Sequence, residues 1–267
     1  MENKTSAESS EKLAIVILSC DKYSDLWDGF FHQLNKYFPF DNKKYLISNI
    51  LDYKNPNTKN LSIIKTGEDI DWSTNLLKAL DRIPENKLLI ILEDIYLSAQ
   101  FDIKKFLKVQ EFTFIDDSQH IKIFSGPKAT QLTLDTFIYR YKPGMTYLAT
   151  VNGIWDKNTL QKIIIPGESA WQFEVNGSYR AQYLAKKFYN LDSDLLPSIN
   201  IVEKGKWIPS SLKWIKSNNI QIDISRRPIA SNTIHKLKKL YFNFIFKTPW
   251  QFRQKLINFL KKLLICY

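Results

Sequence analysis

Cysteine and histidine are scarce in this sequence. Its 267 residues include two cysteines, Cys20 and Cys266, and three histidines, His32, His120 and His235. Two thiols so far apart and in such unlike surroundings exclude a disulfide framework and a CxxC metal site, and they fit a reducing compartment. The histidines are scattered, without HExxH or a similar ligand spacing, and His32 falls inside a predicted helix as a structural residue. No GxSxG, GxGxxG or GxxxxGK[ST] occurs, so hydrolase triads, classical dinucleotide folds and P-loop phosphoryl transfer all lose support. The start, MENKTSAESSEK, lacks the apolar core of a signal peptide, and no window of about 18 uncharged apolar residues occurs. The expectation is a cytoplasmic protein without a transmembrane span.

Hydrophobic residues make up 44% of the chain, enough for one large core or two modest ones. Aromatic residues reach 14%, and they serve equally as core filling and as flat platforms for sugar rings or bases. The net charge of +11 is unevenly placed. From Thr233 to Tyr267 there are eight Lys or Arg residues and no acid, which leaves the body nearly balanced. That distribution argues against nucleic-acid binding by the globular part, which would need its positive face on the folded surface.

The run Leu13 to Leu18, closed by Ser19, Cys20 and Asp21, suits a strand buried on both faces of a parallel sheet. The next segment carries Leu26, Trp27, Phe30, Phe31, Leu34 and Phe38 near helical spacing, with Ser24 as the expected N-cap. Short strands are predicted at Tyr45 to Ser48 and Leu61 to Ile64. Asp71 then caps a helix bearing Leu76, Leu77, Leu80 and Ile83, and Leu88 to Leu92 form another buried strand. Further on, Asp156 caps a short helix, a helix bent near Asn176-Gly177 follows Pro166-Gly167, Ile199 to Val202 read as a strand, and Pro209 opens a last short helix. The alternation predicts an α/β sandwich whose sheet presents Asp21 and Glu93-Asp94 at its carboxyl edge, where ligands of open α/β sheets bind.

Four groups could carry chemistry. Glu93-Asp94 either caps the turn after a strand or offers hard oxygen ligands to a divalent metal holding a nucleotide diphosphate. Asp21, beside Ser19, either forms a turn or hydrogen-bonds a base or ribose. Trp72-Ser73 either begins a helix core or contacts a nucleotide through the hydroxyl and the helix amides. In GESAWQFE, Glu168 and Glu174 are too far apart on a straight helix to act as a paired acid and base. Either one is a helix N-terminal acid or a general base, with Trp171 between them as a sugar-stacking surface.

The ordered set VILSCDKYSDLWDGFF, DWSTNLLKALDRIPENKLLIILEDIYL, ATVNGIWDKNTLQKII, GESAWQFE and VEKGKW resembles bacterial GT-A-like glycosyltransferase-type proteins of capsule, O-antigen and lipopolysaccharide biosynthesis. The resemblance covers Leu13 to about Trp214. It implies a single GT-A-like, Rossmann-like sandwich with a mixed, mostly parallel central sheet, a nucleotide-sugar donor against the first half and a glycan or lipid-linked acceptor against the second. Glu93 and Asp94 would stand for the DxD metal motif, with Mn or Mg as cofactor, although the sequence here reads Glu-Asp-Ile. Ser19, Asp21, Trp72, Ser73 and Lys206 would face the nucleotide sugar, and Lys204, Lys206 or Arg140 could neutralise the leaving diphosphate. Trp155 and Trp171 would face the acceptor, and Glu174 or Glu168 would be the catalytic base. The alternative is a catalytically inactive scaffold subunit of a membrane-associated polysaccharide assembly.

The expected organisation is a disordered leader (1–11), the glycosyltransferase domain (12–232) and a tail of basic amphipathic helices (233–267). In KTPWQFRQKLINFLKKLLICY, Thr248, Pro249 and Gln251 form a helix-start signature. Phe252, Leu256, Phe259, Leu260, Leu263, Leu264 and Tyr267 share one side, opposite Lys255, Lys261 and Lys262. This pattern fits either a helix packed on the body or one lying on an anionic membrane surface, which would place the protein peripherally at the inner face of the cell membrane.

Overall fold

The computed structural model describes residues 13–125, 131–141, 149–184 and 187–231, together with Phe252. The predicted leader and the predicted tail helices lie outside the described residues, apart from Phe252.

The chain opens with β1 (Ala14–Leu18), a 3-10 turn (Asp21–Leu26) and α1 (Trp27–Tyr37), followed by β2 (Lys44–Ser48), β3 (Leu61–Lys65), α2 (Trp72–Leu80) and β4 (Lys87–Leu92). Next come β5 (Ile95–Leu97), α3 (Ile103–Ile115), β6 (His120–Lys122), β7 (Gln131–Leu132), β8 (Ile138–Arg140) and β9 (Gly153–Asp156). The last part contains α4 (Lys157–Ile163), α5 (Ala170–Gln172), a π turn (Phe173–Gly177), α6 (Ser178–Leu184) and β10 (Phe188–Leu191). It closes with β11 (Ser198–Asn200), β12 (Val202–Glu203), β13 (Lys206–Trp207) and α7 (Pro209–Ser217).

Nine of these strands form one sheet in the order β3-β2-β1-β4-β9-β6-β10-β8-β7. β3, β2, β1 and β4 are mutually parallel, β9 is antiparallel to both its neighbours, β6 and β10 are parallel, and β8 reverses again. The sheet is therefore mixed, with most strands running one way. β1 and β4 show why their sequences read as unbroken apolar runs. Ile15, Ile17, Leu89 and Ile91 pack toward α1 and α3, whereas Val16, Leu18, Leu88 and Ile90 pack toward α2 and α4. Both faces are covered by helices, so neither can tolerate polar alternation.

Two local expectations change. Ser24 lies inside the 3-10 turn, and α1 starts at Trp27 without a side-chain cap. The strand expected from Ile199 to Val202 is split: β11 pairs antiparallel with β5, while β12 makes a hairpin with β13. The hairpin loop Lys204-Gly205 has positive φ at both positions, the geometry of a tight primed turn that matches strand twist. Asp71 and Asp156 cap α2 and α4 as the sequence predicts, each accepting a hydrogen bond from the backbone N–H three residues on. The bend expected near Asn176-Gly177 is the π turn between α5 and α6.

Candidate functional site

The carboxyl ends of β1, β2 and β4 open onto a cavity of about 640 Å³. Its floor comes from Leu18, Ile47 and Leu92, one wall from Trp72, Asn75, Ala170, Trp171 and Glu174, and the opposite wall from Tyr23, Asn200, Val202 and Lys204. Each wall is tied to the sheet. The amide of Leu92 donates to Asn152 Oδ1 (2.8 Å), and Ile201 N donates to the Asp94 carbonyl (2.8 Å), which fixes β11 beside the acid pair.

Glu93 and Asp94 sit at this edge, and both line the cavity. No hydrogen bond from another described residue reaches either carboxylate. Burial, reinforced by Asp94, pushes the Glu93 carboxyl well above the ordinary range. Burial likewise pushes Asp94 up to about 6, with Arg227 opposing. Arg227 is itself committed: its guanidinium grips Asp25 at 2.5 and 2.7 Å and lies 4.3 Å over the ring of Tyr23. Among the described residues the acid pair thus has only its own backbone amides and the charge of Arg227 to offset burial, an arrangement that favours an added cation or protonation.

Asp21 has a different role from a nucleotide contact. Its carboxylate accepts the backbone N–H groups of Asn49 (2.9 Å), Ile50 (3.0 Å) and Leu51 (3.2 Å), while its own amide donates to Asn49 Oδ1 (3.0 Å). It clamps the loop after β2 onto the end of β1. Ser19 lines the cavity with its Oγ accepting Trp27 Nε1 at 2.8 Å. Between them, the Cys20 thiol is pushed up to about 11 by burial and by the charges of Glu93 and Asp69.

Ser73 is fully buried and turned inward. Its hydroxyl donates to Asp71 (2.7 Å) and accepts from Glu168 N (3.0 Å), and its amide bonds the Glu168 carbonyl (3.3 Å). Asp71 also takes Thr74 N and Oγ1 and Gly167 N. Burial works against its charge, yet these donors hold it down at about 2. The start of α2 is therefore closed by protein groups, and the expected phosphate contact through Ser73 and the helix amides is corrected on that ground. Trp72 remains on the cavity wall. Its indole Nε1 is buried with no partner among the described residues, and the same is true of Asn75 Oδ1 one turn on.

The two glutamates of GESAWQFE separate cleanly. Glu168 binds Arg180 through both oxygens (2.5 and 2.9 Å) and also accepts Asn176 Nδ2 (2.9 Å), which lowers its carboxyl against the opposing effect of burial. It lies behind the wall and cannot serve as a base for a ligand in the cavity. Glu174, carried by the π turn, lines the cavity. One oxygen accepts Val151 N (3.2 Å), and burial raises its carboxyl, with Lys122 opposing.

The expected acceptor contact of Trp155 is also corrected. Its exposure is 0%, its ring stacks on His120 at 3.8 Å, and its Nε1 donates to the Thr150 carbonyl. It is core. Trp171 is 57% exposed and lines the cavity. Lys206 is exposed on β13 and lies outside the lining, whereas Lys204 at the hairpin turn faces in. Arg140 borders a separate cavity of about 850 Å³ between α3 and the β7–β8 hairpin. Sequence reasoning missed Tyr23, Asp69, Asn75 and Arg227. Only Asn75, three residues after Trp72 and so on a neighbouring helix face, carried a signal that could have found it.

No protein-family model matches the chain, and no curated protein sequence does. The fold does match solved structures. S. aureus TarS 1–349 in complex with UDP-GlcNAc superposes with a TM-score of 0.54 at 12% identity, over 80% of this chain and 68% of that one. The same protein with UDP gives 0.49 at 13% identity, over 92% and 78%. The glycosyltransferase GlyE of Streptococcus pneumoniae gives 0.44 at 12% identity, over 68% and 45%. Against the longer TarS structure the chain spans 41% of that protein's length. The chain thus has the mixed α/β sandwich of the TarS structure that holds UDP-GlcNAc.

Proposed function

We propose that the protein is a glycosyltransferase that moves a sugar from a nucleotide-sugar donor, bound in the 640 Å³ cavity, to a hydroxyl of a surface-polysaccharide acceptor. The observation that carries this reading is the buried acid pair Glu93-Asp94, which no side chain among the described residues hydrogen-bonds, set on the same cavity as Trp72 Nε1 and Asn75 Oδ1, which have no partner among those residues. Those groups await a polar ligand, because a buried donor or acceptor left without a partner costs about 1–3 kcal/mol.

Charge around the cavity bears on how a diphosphate is held. Asp69, Glu93, Asp94, Glu174 and Glu203 line it, against Lys204, and Lys22 nearby is paired with Asp69. A diphosphate brought into such surroundings is repelled unless a cation comes with it. Among the described residues no cluster of three or more His, Cys, Asp or Glu could hold a metal alone. Two hard carboxylates fit a Mn or Mg ion whose remaining ligands are phosphate oxygens and water. Bound there by Glu93 and Asp94, the ion would supply positive charge to the leaving diphosphate.

Glu174 is the base in this reading. Its carboxylate takes the proton of the acceptor hydroxyl while that oxygen bonds to the anomeric carbon, and the bond from that carbon to the diphosphate oxygen breaks. The raised proton affinity of Glu174 makes it a stronger acceptor, and the Val151 amide fixes its direction. The basic tail 233–267, amphipathic if helical, would keep the enzyme beside a lipid-linked acceptor at an anionic membrane, and no helix among the described residues is long and apolar enough to cross one.

The test is a panel of nucleotide sugars, assayed for binding by thermal shift and for hydrolysis, with and without Mn. Binding of at least one member that strengthens with Mn, and turnover lost in Glu174→Gln, are expected. Binding without turnover would point to the scaffold alternative, and binding of none would overturn the reading.

A further inference from the structure

Trp171, at 57% exposure, is the first of a row. Tyr179 (40%) and Tyr183 (84%) continue it along α5, the π turn and α6. On an unbroken α-helix, Trp171 and Tyr179, eight positions apart, would diverge by about 80°. The π turn between them inserts about one residue into a single turn, which brings the two side chains to within about 20° of each other. Tyr183 follows Tyr179 by four positions within α6 and so shares its face. By this helix geometry the π turn sets the three rings on one side.

The helix is firmly seated, so the row is a fixed outward face. Its other side is held by Arg180 on Glu168 and on the Ile163 carbonyl (2.7 Å), by Asn176 on Glu168, and by Ser178, which donates to the Glu174 carbonyl and accepts from Ala149 N. The row begins in the cavity wall, three residues from Glu174, and leads outward. From Trp171 to Tyr183 the rise, with one residue taken up by the π turn, is roughly 16 Å, the length of about three linked sugar rings.

We propose that Trp171, Tyr179 and Tyr183 form a track for an extended glycan acceptor, several sugars long, whose end reaches Glu174. The proposal rests on the glycosyltransferase reading and deepens it by assigning Tyr179 and Tyr183 to the inner sugars of the acceptor chain, beyond the sugar that reacts. Two features favour a glycan over a lipid surface. The row is continuous with the cavity that would hold the reacting hydroxyl, and its members are aromatic faces with polar edges, which suit the apolar faces and rim hydroxyls of sugar rings. None of the three carries the positive charge with which helices engage anionic lipid.

The test uses the full chain on an array of bacterial surface oligosaccharides of graded length. Binding should strengthen with length up to several sugars. Tyr179→Ala/Tyr183→Ala should weaken the longest ligands by about tenfold or more, while disaccharide binding changes far less. Binding with no length dependence, binding the double variant retains in full, or no binding to any member overturns the track. So does a loss, in the double variant, of sedimentation with phosphatidylglycerol vesicles while glycan binding stays intact. Titration of the wild-type protein with the nucleotide-sugar panel separates the two readings: donor binding without glycan binding rejects the track alone, and failure of both rejects the transferase as well.

Discussion

Replacing Asp94 by Asn should make the ligand-free protein more stable at neutral pH, and the gain should disappear in acid. The Asp94 carboxyl titrates at about 6 in the folded protein against 3.8 for an unperturbed aspartate. Between those values the folded chain binds more protons than the unfolded one, so stability falls as pH rises through that window and then levels off. The penalty is absent below about pH 4, where both states are protonated, and complete above about pH 6. Glu93 competes for the same proton and an asparagine amide also lacks donors here, which narrows the expected gain to about 1–3 kcal/mol. Urea denaturation of wild type and Asp94→Asn at pH 7.5 and at pH 4 measures it directly. Adding a nucleotide sugar that binds, together with Mn, should stabilise the wild type and leave the variant unchanged, the trade of stability for function expected of a site that keeps a charge buried. A variant less stable than wild type at pH 7.5, or a difference equal at both pH values, would refute the reasoning.

Further predictions concern the residues that build the walls. Arg180→Met should cost about 3–5 kcal/mol in chemical denaturation, because it strands the buried Glu168 carboxylate. A loss under 1 kcal/mol would contradict the assignment of Glu168 to structure. Trp155→Leu should lose about 2–4 kcal/mol of stability through the emptied space beside His120 and Phe188, yet leave UDP affinity of the folded fraction within twofold, and a large affinity change with intact stability would restore Trp155 to the site. For the basic segment, the full chain should sediment with anionic liposomes and a chain ending near Asn232 should not, whereas equal pelleting of both removes the membrane role.

The strands and caps that depend on neighbours in sequence were legible. The double-faced burial of β1 and β4 makes unbroken apolar runs, and Asp71 and Asp156 act within one turn of their own position. What stayed hidden depends on distant pairing. β9 enters the sheet between β4 and β6 with its direction reversed, and nothing local in Gly153–Asp156 encodes that neighbour. Arg227 reaches Asp25 from across the sequence. The candidate site divides in the same way. The acid pair and Glu174, suggested by strand end and motif, do line the cavity, but Asp21, Ser73 and Glu168 are carboxylates and hydroxyls of the same types at equally suggestive places. Backbone amides and Arg180 use up their capacity, and those partners come from elsewhere in the fold.

The central claim is that Glu93-Asp94 and the cavity beside them hold a nucleotide diphosphate together with a divalent cation. A crystal grown with UDP and Mn, with anomalous data collected at the manganese edge, tests it most directly. One manganese site on Asp94 or Glu93 is expected, with the diphosphate completing its shell and the nucleoside within reach of Trp72 Nε1 or Asn75 Oδ1. UDP bound elsewhere, or seated in the cavity with no metal on either carboxylate, would contradict it.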